Sequence, residues 1–319
     1  MRKMKAMQIQ AKGEKMKLVE IPIPQPEMGQ VLLRVEACGV CNGDSRTIMG
    51  GAPTYPKIPG HEVIGIVEEL GDGSTKWNIG DRVGIGYNGG HSHVTGLTMN
   101  GGYAEYMVAF EDYLTSIPKE VTSIEAAPLM CAGETTFSAI RNSKARLGDL
   151  VAVSGIGGLG HLAIQYAHKA GFRTVAISRG IDKEKLARKL GANHYIDLEK
   201  ENPAEVLKSL GGAKVILATA PNPKVISSLI NGLGTDGELI IVAGSSDPLE
   251  LTSMDFVRGQ RTVRGSFTGQ AKEINDTIRF SVLTDVRPMI EVFPLEQASE
   301  AYEKMMAAKT RFRAVLNIS

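Results

Sequence analysis

The sequence predicts an α/β fold in two parts: a β-rich, mostly antiparallel unit, then a parallel sheet wound with helices. Three observations predict it. Up to about residue 118, short apolar runs are divided by Gly, Pro and Asp. Beyond residue 122, apolar runs alternate with stretches of helical spacing. A glycine cluster follows the first of those runs and opens the next helix. Short strands cut by turn residues suit a compact barrel or sandwich, and strand alternating with helix suits a parallel sheet covered on both faces.

The elements follow in order. Pro22, Pro24 and Pro26 make a stiff entry segment that cannot be a central strand. Residues 31–35, 63–67 and 82–86 read as short strands. Thr122 with Glu125 fits a capping box, and a helix is expected through 136–146. The run 150–153 is a strand and 159–170 a helix; 174–177 is a second strand, and 183–190 a helix ended by Gly191. Residues 215–218 and 239–242 are two more buried strands. After Gly265 one more helical segment, 295–308, and a last strand, 313–318, complete the chain. That tail is expected to return to the first domain.

Composition narrows the function classes. The 319 residues suffice for two domains or one large α/β unit. With 43% apolar and 22% charged residues, wholesale disorder is excluded. Thirty-six basic against 35 acidic residues argue against nucleic acid held by bulk charge. Three cysteines are too few for a secreted disulfide framework, so a reducing, cytoplasmic setting is expected. No apolar run approaches the roughly 18 residues of a membrane span. The basic start, Met1 to Lys5, is not followed by an apolar stretch or cleavage site.

Gly155-Ile156-Gly157-Gly158-Leu159-Gly160 fits G-x-G-x-x-G, after a predicted strand and before a predicted helix. Such glycines allow a tight turn and let a pyrophosphate reach the N–H groups at the helix start. An acid at the end of the second strand would select NAD; here Ser178 and Arg179 stand there, with Lys183 one turn on. A hydroxyl and a guanidinium favour a 2′-phosphate, hence NADP, with NAD possible. The plain alternative is that Arg179 and Lys183 are solvated surface charges. Val242 and Ala243, beyond a later strand, join the candidate cofactor residues.

Cys41, His61 and Cys131 are separated by 20 and 70 residues, so no zinc-finger spacing exists. Two thiolates and an imidazole suit zinc, and three protein ligands leave a fourth position for water or substrate. The alternative is that the cysteines are small core hydrophobes.

Gly60-His-Glu-Val-Ile-Gly65, with Gly71 and Ser74, resembles the signature of the zinc-containing alcohol dehydrogenases of the medium-chain dehydrogenase/reductase superfamily. Gly80-Asp-Arg-Val-Gly84, Gly101-Gly-Tyr-Ala-Glu-Tyr106 and the glycine motif occur in that family's order, so the resemblance spans essentially the whole chain. It implies a GroES-like β-rich catalytic domain (1–132 and 268–319) interrupted by a Rossmann doubly wound parallel-sheet domain (133–267). It makes Cys41, His61 and Cys131 the ligands of one catalytic zinc, with Glu62 the carboxylate that can join them. Asp44 becomes the carboxylate orienting the ligand histidine, Thr135 the nicotinamide contact and Arg313 the pyrophosphate contact. The implied reaction is hydride transfer between NADP(H) and a small alcohol or aldehyde. A homodimer paired through Rossmann sheet edges is also implied, with 239–242 and 261–267 as interface candidates.

Two departures stand out. Relatives of this type carry four closely spaced cysteines between the Gly-Asp-Arg-Val strand and the Gly-Gly-Tyr segment; here Tyr87 to Val94 and onward has none. His91 and His93 in that loop are read as exposed histidines without a specific site. Gly43 stands where many relatives carry a proton-relaying Ser or Thr, so a relay falls to Ser45, Arg46 or water. Glu134 is read as a solvent-facing acid at a helix start. A zinc-free quinone or enone reductase of the same superfamily, and a catalytically impaired dehydrogenase scaffold, are the competing readings.

Overall fold

The computed structural model describes residues 2–90 and 92–318. The chain divides into two compact units: Met1–Glu134 with Thr268–Ser319, and Thr135–Phe267.

The first unit is built on a seven-stranded sheet. Its path runs Ile290–Pro294, Arg313–Asn317, Gln30–Val40, Glu62–Leu70, Arg82–Ile85, Thr115–Ser116, and Tyr106–Phe110 adds to Gln30–Val40. The chain tail does return: Ala314 pairs with Val40 and Asn317 with Ala37, antiparallel. A separate hairpin pairs Lys3–Gln8 with Lys17–Pro22, so the proline segment starts where that strand ends. The core beneath the sheet includes Leu33, Val35, Val63, Val67 and Ile85, each at most 1% exposed. Each such side chain contributes roughly 1.5–3 kcal/mol by leaving water.

The second unit is a six-stranded parallel sheet. Its order is His194–Asp197, Arg173–Ser178, Leu150–Ser154, Ala213–Ala218, Leu233–Ile241, Thr262–Gly265. Leu150–Ser154 is buried along its whole length, as a strand covered on both faces must be. The sheet order reverses between Leu150–Ser154 and Ala213–Ala218, the topological switch point where doubly wound sheets take ligands. No helix among the described residues is long and apolar enough to cross a membrane.

Four expectations are corrected. The helix through 136–146 is Ala132–Arg141 instead. The next two amides still donate back to the helix, Asn142 N–H to Ser138 O at 3.0 Å and Ser143 N–H to Ile140 O at 3.1 Å, and beyond them Lys144 N–H donates to Glu238 at 2.7 Å and Arg146 N–H to Asp149 at 2.7 Å. A fourteen-residue helix, Ala271–Thr284, and the strand Ile290–Pro294 were not anticipated. The buried face of that helix is Ile274, Thr277, Ile278 and Ser281, half of it polar, which blurs the apolar period. Leu239 to Ile241 cannot be an edge, because it is hydrogen-bonded on both sides; Thr262–Gly265 is the edge on that side of the sheet.

Candidate metal centre and glycine loop

Strand pairing explains the convergence in the first unit. Gly39 lies opposite Glu62, so the end of one strand delivers Cys41 beside the start of the next, which carries His61. Ala314 lies opposite Val40, so Arg313 enters at the same end. Cys131 arrives on the turn after the 3₁₀ helix Ala127–Met130. That turn presses on the Arg82–Ile85 strand and its end: a Cβ on Gly84 would lie 2.5 Å from Met130 Sδ, and one on Gly86 2.6 Å from Met130 O.

Ligand atoms of Cys41, His61, Glu62 and Cys131 lie within 4.8 Å of one another. His61 is 1% exposed, and its two nitrogens differ. Nδ1 is 2.7 Å from Asp44 Oδ1, whereas Nε2 is buried with no hydrogen-bond partner among the described residues. A carboxylate at Nδ1 holds the proton there and leaves the Nε2 lone pair for a cation. Asp44 is itself fixed from three other sides. Gly60 N–H donates to Oδ1 at 3.2 Å, Cys41 N–H to Oδ2 at 3.1 Å, and the Tyr103 hydroxyl to Oδ2 at 3.0 Å. Tyr87 stands edge-on to the His61 ring, with centroids 5.3 Å apart. An orphaned buried nitrogen facing two sulfurs and a carboxylate fits zinc.

The charges couple strongly. The Cys41 thiol is held well below its usual range, first by a hydrogen bond from Cys131 and then by His61, against the cost of burial. Cys131 is pushed up by the same pairing and by burial. Burial opposes the His61 imidazolium, but Asp44 and Cys41 outweigh it and raise its pKa. Burial raises Glu62 to about 8, with Arg313 pulling the other way. Arg313 Nη2 donates to both Glu62 oxygens, at 2.5 and 2.7 Å. The Arg313 side chain thus pairs with Glu62, and the residue is 6% exposed.

The remaining sequence candidates lie as follows. Ser45 Oγ donates to Asn42 Oδ1 at 3.0 Å and contacts Met306 Sδ at 3.6 Å, and Arg46 is exposed. Gly43 lies against the His61 ring: a Cβ there would be 2.8 Å from His61 Cε1. Glu134 is fully buried and accepts from Thr268 Oγ1 at 2.8 Å, so the solvent-facing reading is overturned. His93 stacks on Phe110 at 5.3 Å, and His91 lies outside the described residues. Cys38, Cys41 and Cys131 are all free thiols. Tyr103 stands inside the Gly-Gly-Tyr motif, but nothing in a tyrosine's identity shows that it holds Asp44.

In the second unit the glycine motif leaves Leu150–Ser154 and enters the helix Gly160–Lys169. The three motif glycines do different work. Gly155 takes φ +97, the tight turn. A Cβ at Gly157 would meet nothing within 4 Å, which is the open space a pyrophosphate needs. A Cβ at Gly160 would lie 1.8 Å from Gly155 O, so only glycine packs there. Gly158 and Leu159 complete the turn, and the Leu159 side chain at the N-cap makes no hydrogen bond to the helix N–H groups. Thr135 is 7% exposed, at the start of this unit. Ser178 ends Arg173–Ser178 and is buried; Arg179 is exposed; Lys183 Nζ donates to Ile156 O at 3.0 Å, tying the two loops together. Val242 and Ala243 follow Leu233–Ile241, with Val242 N–H donating to Ala218 O at 3.1 Å.

Known proteins resemble the chain along nearly its full length. Residues 27–119 match the family model described as the alcohol dehydrogenase GroES-like domain, and 158–282 that described as zinc-binding dehydrogenase. The chain is 41% identical to alcohol dehydrogenase patD of Penicillium expansum, over 96% of this chain and 95% of the relative. The structure of CAD from Helicobacter pylori complexed with NADP(H) is similar at TM-score 0.86 and 28% identity, covering 99% of this chain and 98% of that one. A cobalt- and zinc-bound thermostable alcohol dehydrogenase from Pyrobaculum aerophilum is similar at TM-score 0.86 and 26% identity, covering 99% of this chain and all of the other.

Proposed function

Because the chain belongs to the zinc-type alcohol dehydrogenases of the medium-chain dehydrogenase/reductase superfamily, we propose that it interconverts a small alcohol and its aldehyde, using one zinc per chain and preferring NADP(H) to NAD(H). That it is an NAD(P)-dependent alcohol oxidoreductase follows from the family; the single zinc and the NADP preference are our reading. The observation that carries it is the unpartnered, buried Nε2 of His61 among Cys41, Cys131 and Glu62. Two cysteines and a histidine are the donor set of catalytic zinc in alcohol dehydrogenases generally.

Zinc held there supplies a Lewis acid to the substrate oxygen, and the nicotinamide supplies the hydride carrier. The chain's own residues do the rest. Asp44 keeps the proton on His61 Nδ1, and its contacts to Gly60 and Cys41 hold the two ligand segments in register. Glu62, paired with Arg313, is a reserve ligand whose charge is balanced while it waits. Gly43 offers no hydroxyl, so an alcohol proton leaves by way of Ser45 or water. Gly157 and the uncapped start of Gly160–Lys169 receive the pyrophosphate. Ser178 and Arg179 face the 2′-phosphate, in line with the NADP(H) named for the Helicobacter pylori structure. We place the domain boundary within residues 132–135 and at 267–268, the cellular setting in the cytoplasm, and a homodimer contact on the Thr262–Gly265 edge.

Metal analysis of protein purified without added zinc tests the reading. About one zinc per chain is expected, lost in Cys41→Ser together with turnover of aldehydes but not with NADPH binding. Full activity without metal would move the assignment to a zinc-free reductase; metal and NADPH binding without turnover of any carbonyl would indicate an impaired scaffold.

A further inference from the structure

The turn that follows Arg173–Ser178 is held from behind by the neighbouring edge strand, His194–Asp197. The two strands pair in parallel, with Ala176 opposite Tyr195 and Ser178 opposite Asp197. Gly180, at φ +72, is gripped at both of its backbone groups. Its N–H donates to Asp197 Oδ1 at 2.8 Å, and its carbonyl accepts from the Tyr195 hydroxyl at 2.5 Å. The Ser178 side chain lies beside the same hydroxyl. Asp197 is 3% exposed, and its Oδ2 is buried without a hydrogen-bond partner among the described residues. A buried carboxylate with one unsatisfied oxygen is costly, so its place here calls for a reason. The contacts of Oδ1 supply one: besides Gly180 N–H it accepts Glu199 N–H at 3.0 Å, closing the turns after both strands around one atom. Arg179, between the two anchored residues, is exposed and has no partner among the described residues.

We propose that Tyr195 and Asp197 are positioning residues for cofactor selection, acting by locking the Ser178-Arg179-Gly180 turn so that Ser178 and Arg179 are presented to the 2′-phosphate of NADP(H). This rests on the NADP reading above. Neither residue needs to touch the cofactor. A turn fixed at Gly180 leaves the Arg179 guanidinium less freedom to lose on binding, and preorganisation of that kind appears as affinity. The effect is confined to the 2′-phosphate, because the pyrophosphate binds at Gly155 to Gly160. NADH affinity should therefore not move.

The test is equilibrium binding to the full-length protein, which needs no turnover. NADPH and NADH are titrated by their fluorescence, and adenosine 2′,5′-bisphosphate and 5′-AMP by calorimetry. Tyr195→Phe is expected to weaken NADPH and the bisphosphate by about five-fold, the worth of one ordinary hydrogen bond, with NADH and 5′-AMP unchanged. Asp197→Asn keeps an acceptor for Gly180 N–H and should retain most of the selectivity, whereas Asp197→Ala should lose it. If Asp197→Ala does not fold, Tyr195→Phe and Asp197→Asn still decide the matter. Arg179→Ala separates the two layers. If wild-type protein does not prefer NADPH, or Arg179→Ala leaves that preference intact, the NADP reading fails. If Arg179→Ala abolishes the preference while Tyr195→Phe leaves it, or weakens NADH equally, the positioning role is overturned and the NADP reading stands.

Discussion

Replacing Asp44 with Asn should weaken metal binding far more than it weakens the fold. The carboxylate accepts four hydrogen bonds, from His61 and Gly60 on Oδ1 and from Cys41 and Tyr103 on Oδ2. An amide is nearly isosteric but offers one acceptor and one donor face. With its oxygen toward His61 and Gly60, its NH₂ meets Cys41 N–H and the Tyr103 hydroxyl. The hydroxyl can rotate to accept; the backbone N–H cannot, and losing its partner costs about 1–3 kcal/mol. With the amide reversed, NH₂ faces His61 Nδ1 and favours the tautomer that protonates Nε2, the atom a metal needs. Either arrangement disturbs one ligand residue. Loss of such an orienting partner typically lowers metal affinity 10- to 100-fold, or roughly 1.4–2.7 kcal/mol. Competition against a chromogenic chelator, with thermal unfolding recorded on the same samples, measures both quantities. Asp44→Asn protein that binds zinc as tightly as wild type would refute the argument that Asp44 sets the His61 tautomer.

Other consequences are as direct. Gly43→Ser should lower zinc affinity instead of restoring a proton relay, because its Cβ would lie 2.8 Å from His61 Cε1 and 3.2 Å from Nε2; chelator competition reads this. Leu33→Ala, at a fully buried position in the first unit, should cost about 2–5 kcal/mol, seen as a lower denaturant midpoint. Asp236 sits between Lys144 and Lys214, which hold its carboxyl down at about 2. A depressed carboxylate stabilises the fold above its unfolded pKa, and that contribution is lost as pH falls through the folded one. The difference in melting temperature between wild type and Asp236→Asn should therefore be constant above about pH 5 and vanish toward pH 2. Asn keeps the residue's φ of +53 accessible, and salt should shrink the difference, since the pair is exposed.

What the sequence revealed and what it hid divide along a physical line. The parallel sheet was legible because burial on both faces leaves continuous apolar runs such as Leu150–Ser154. The glycine motif was legible because its constraints are local: a turn at Gly155, a contact at Gly160. The helix Ala271–Thr284 was not, since Thr277 and Ser281 occupy half its buried face and satisfy their hydroxyls on their own helix, at Glu273 O and Thr277 O. The end of Ala132–Arg141 was hidden for a different reason. The chain just past it is held by a tertiary contact: Glu238, almost a hundred residues away in sequence, takes the Lys144 N–H. The candidate metal cluster lies between these cases. Residue types and family resemblance pointed to Cys41, His61 and Cys131, but spacings of 20 and 70 residues carry no geometry. The register of Gly39 against Glu62 and of Ala314 against Val40 supplies it. Arg313 and Glu62 belong to strands on either side of Gln30–Val40, and Glu62 reaches across that strand at Gly39, where a Cβ would lie 1.9 Å from its Oε2. There, a carboxylate that burial drives toward protonation keeps its charge balanced by the guanidinium.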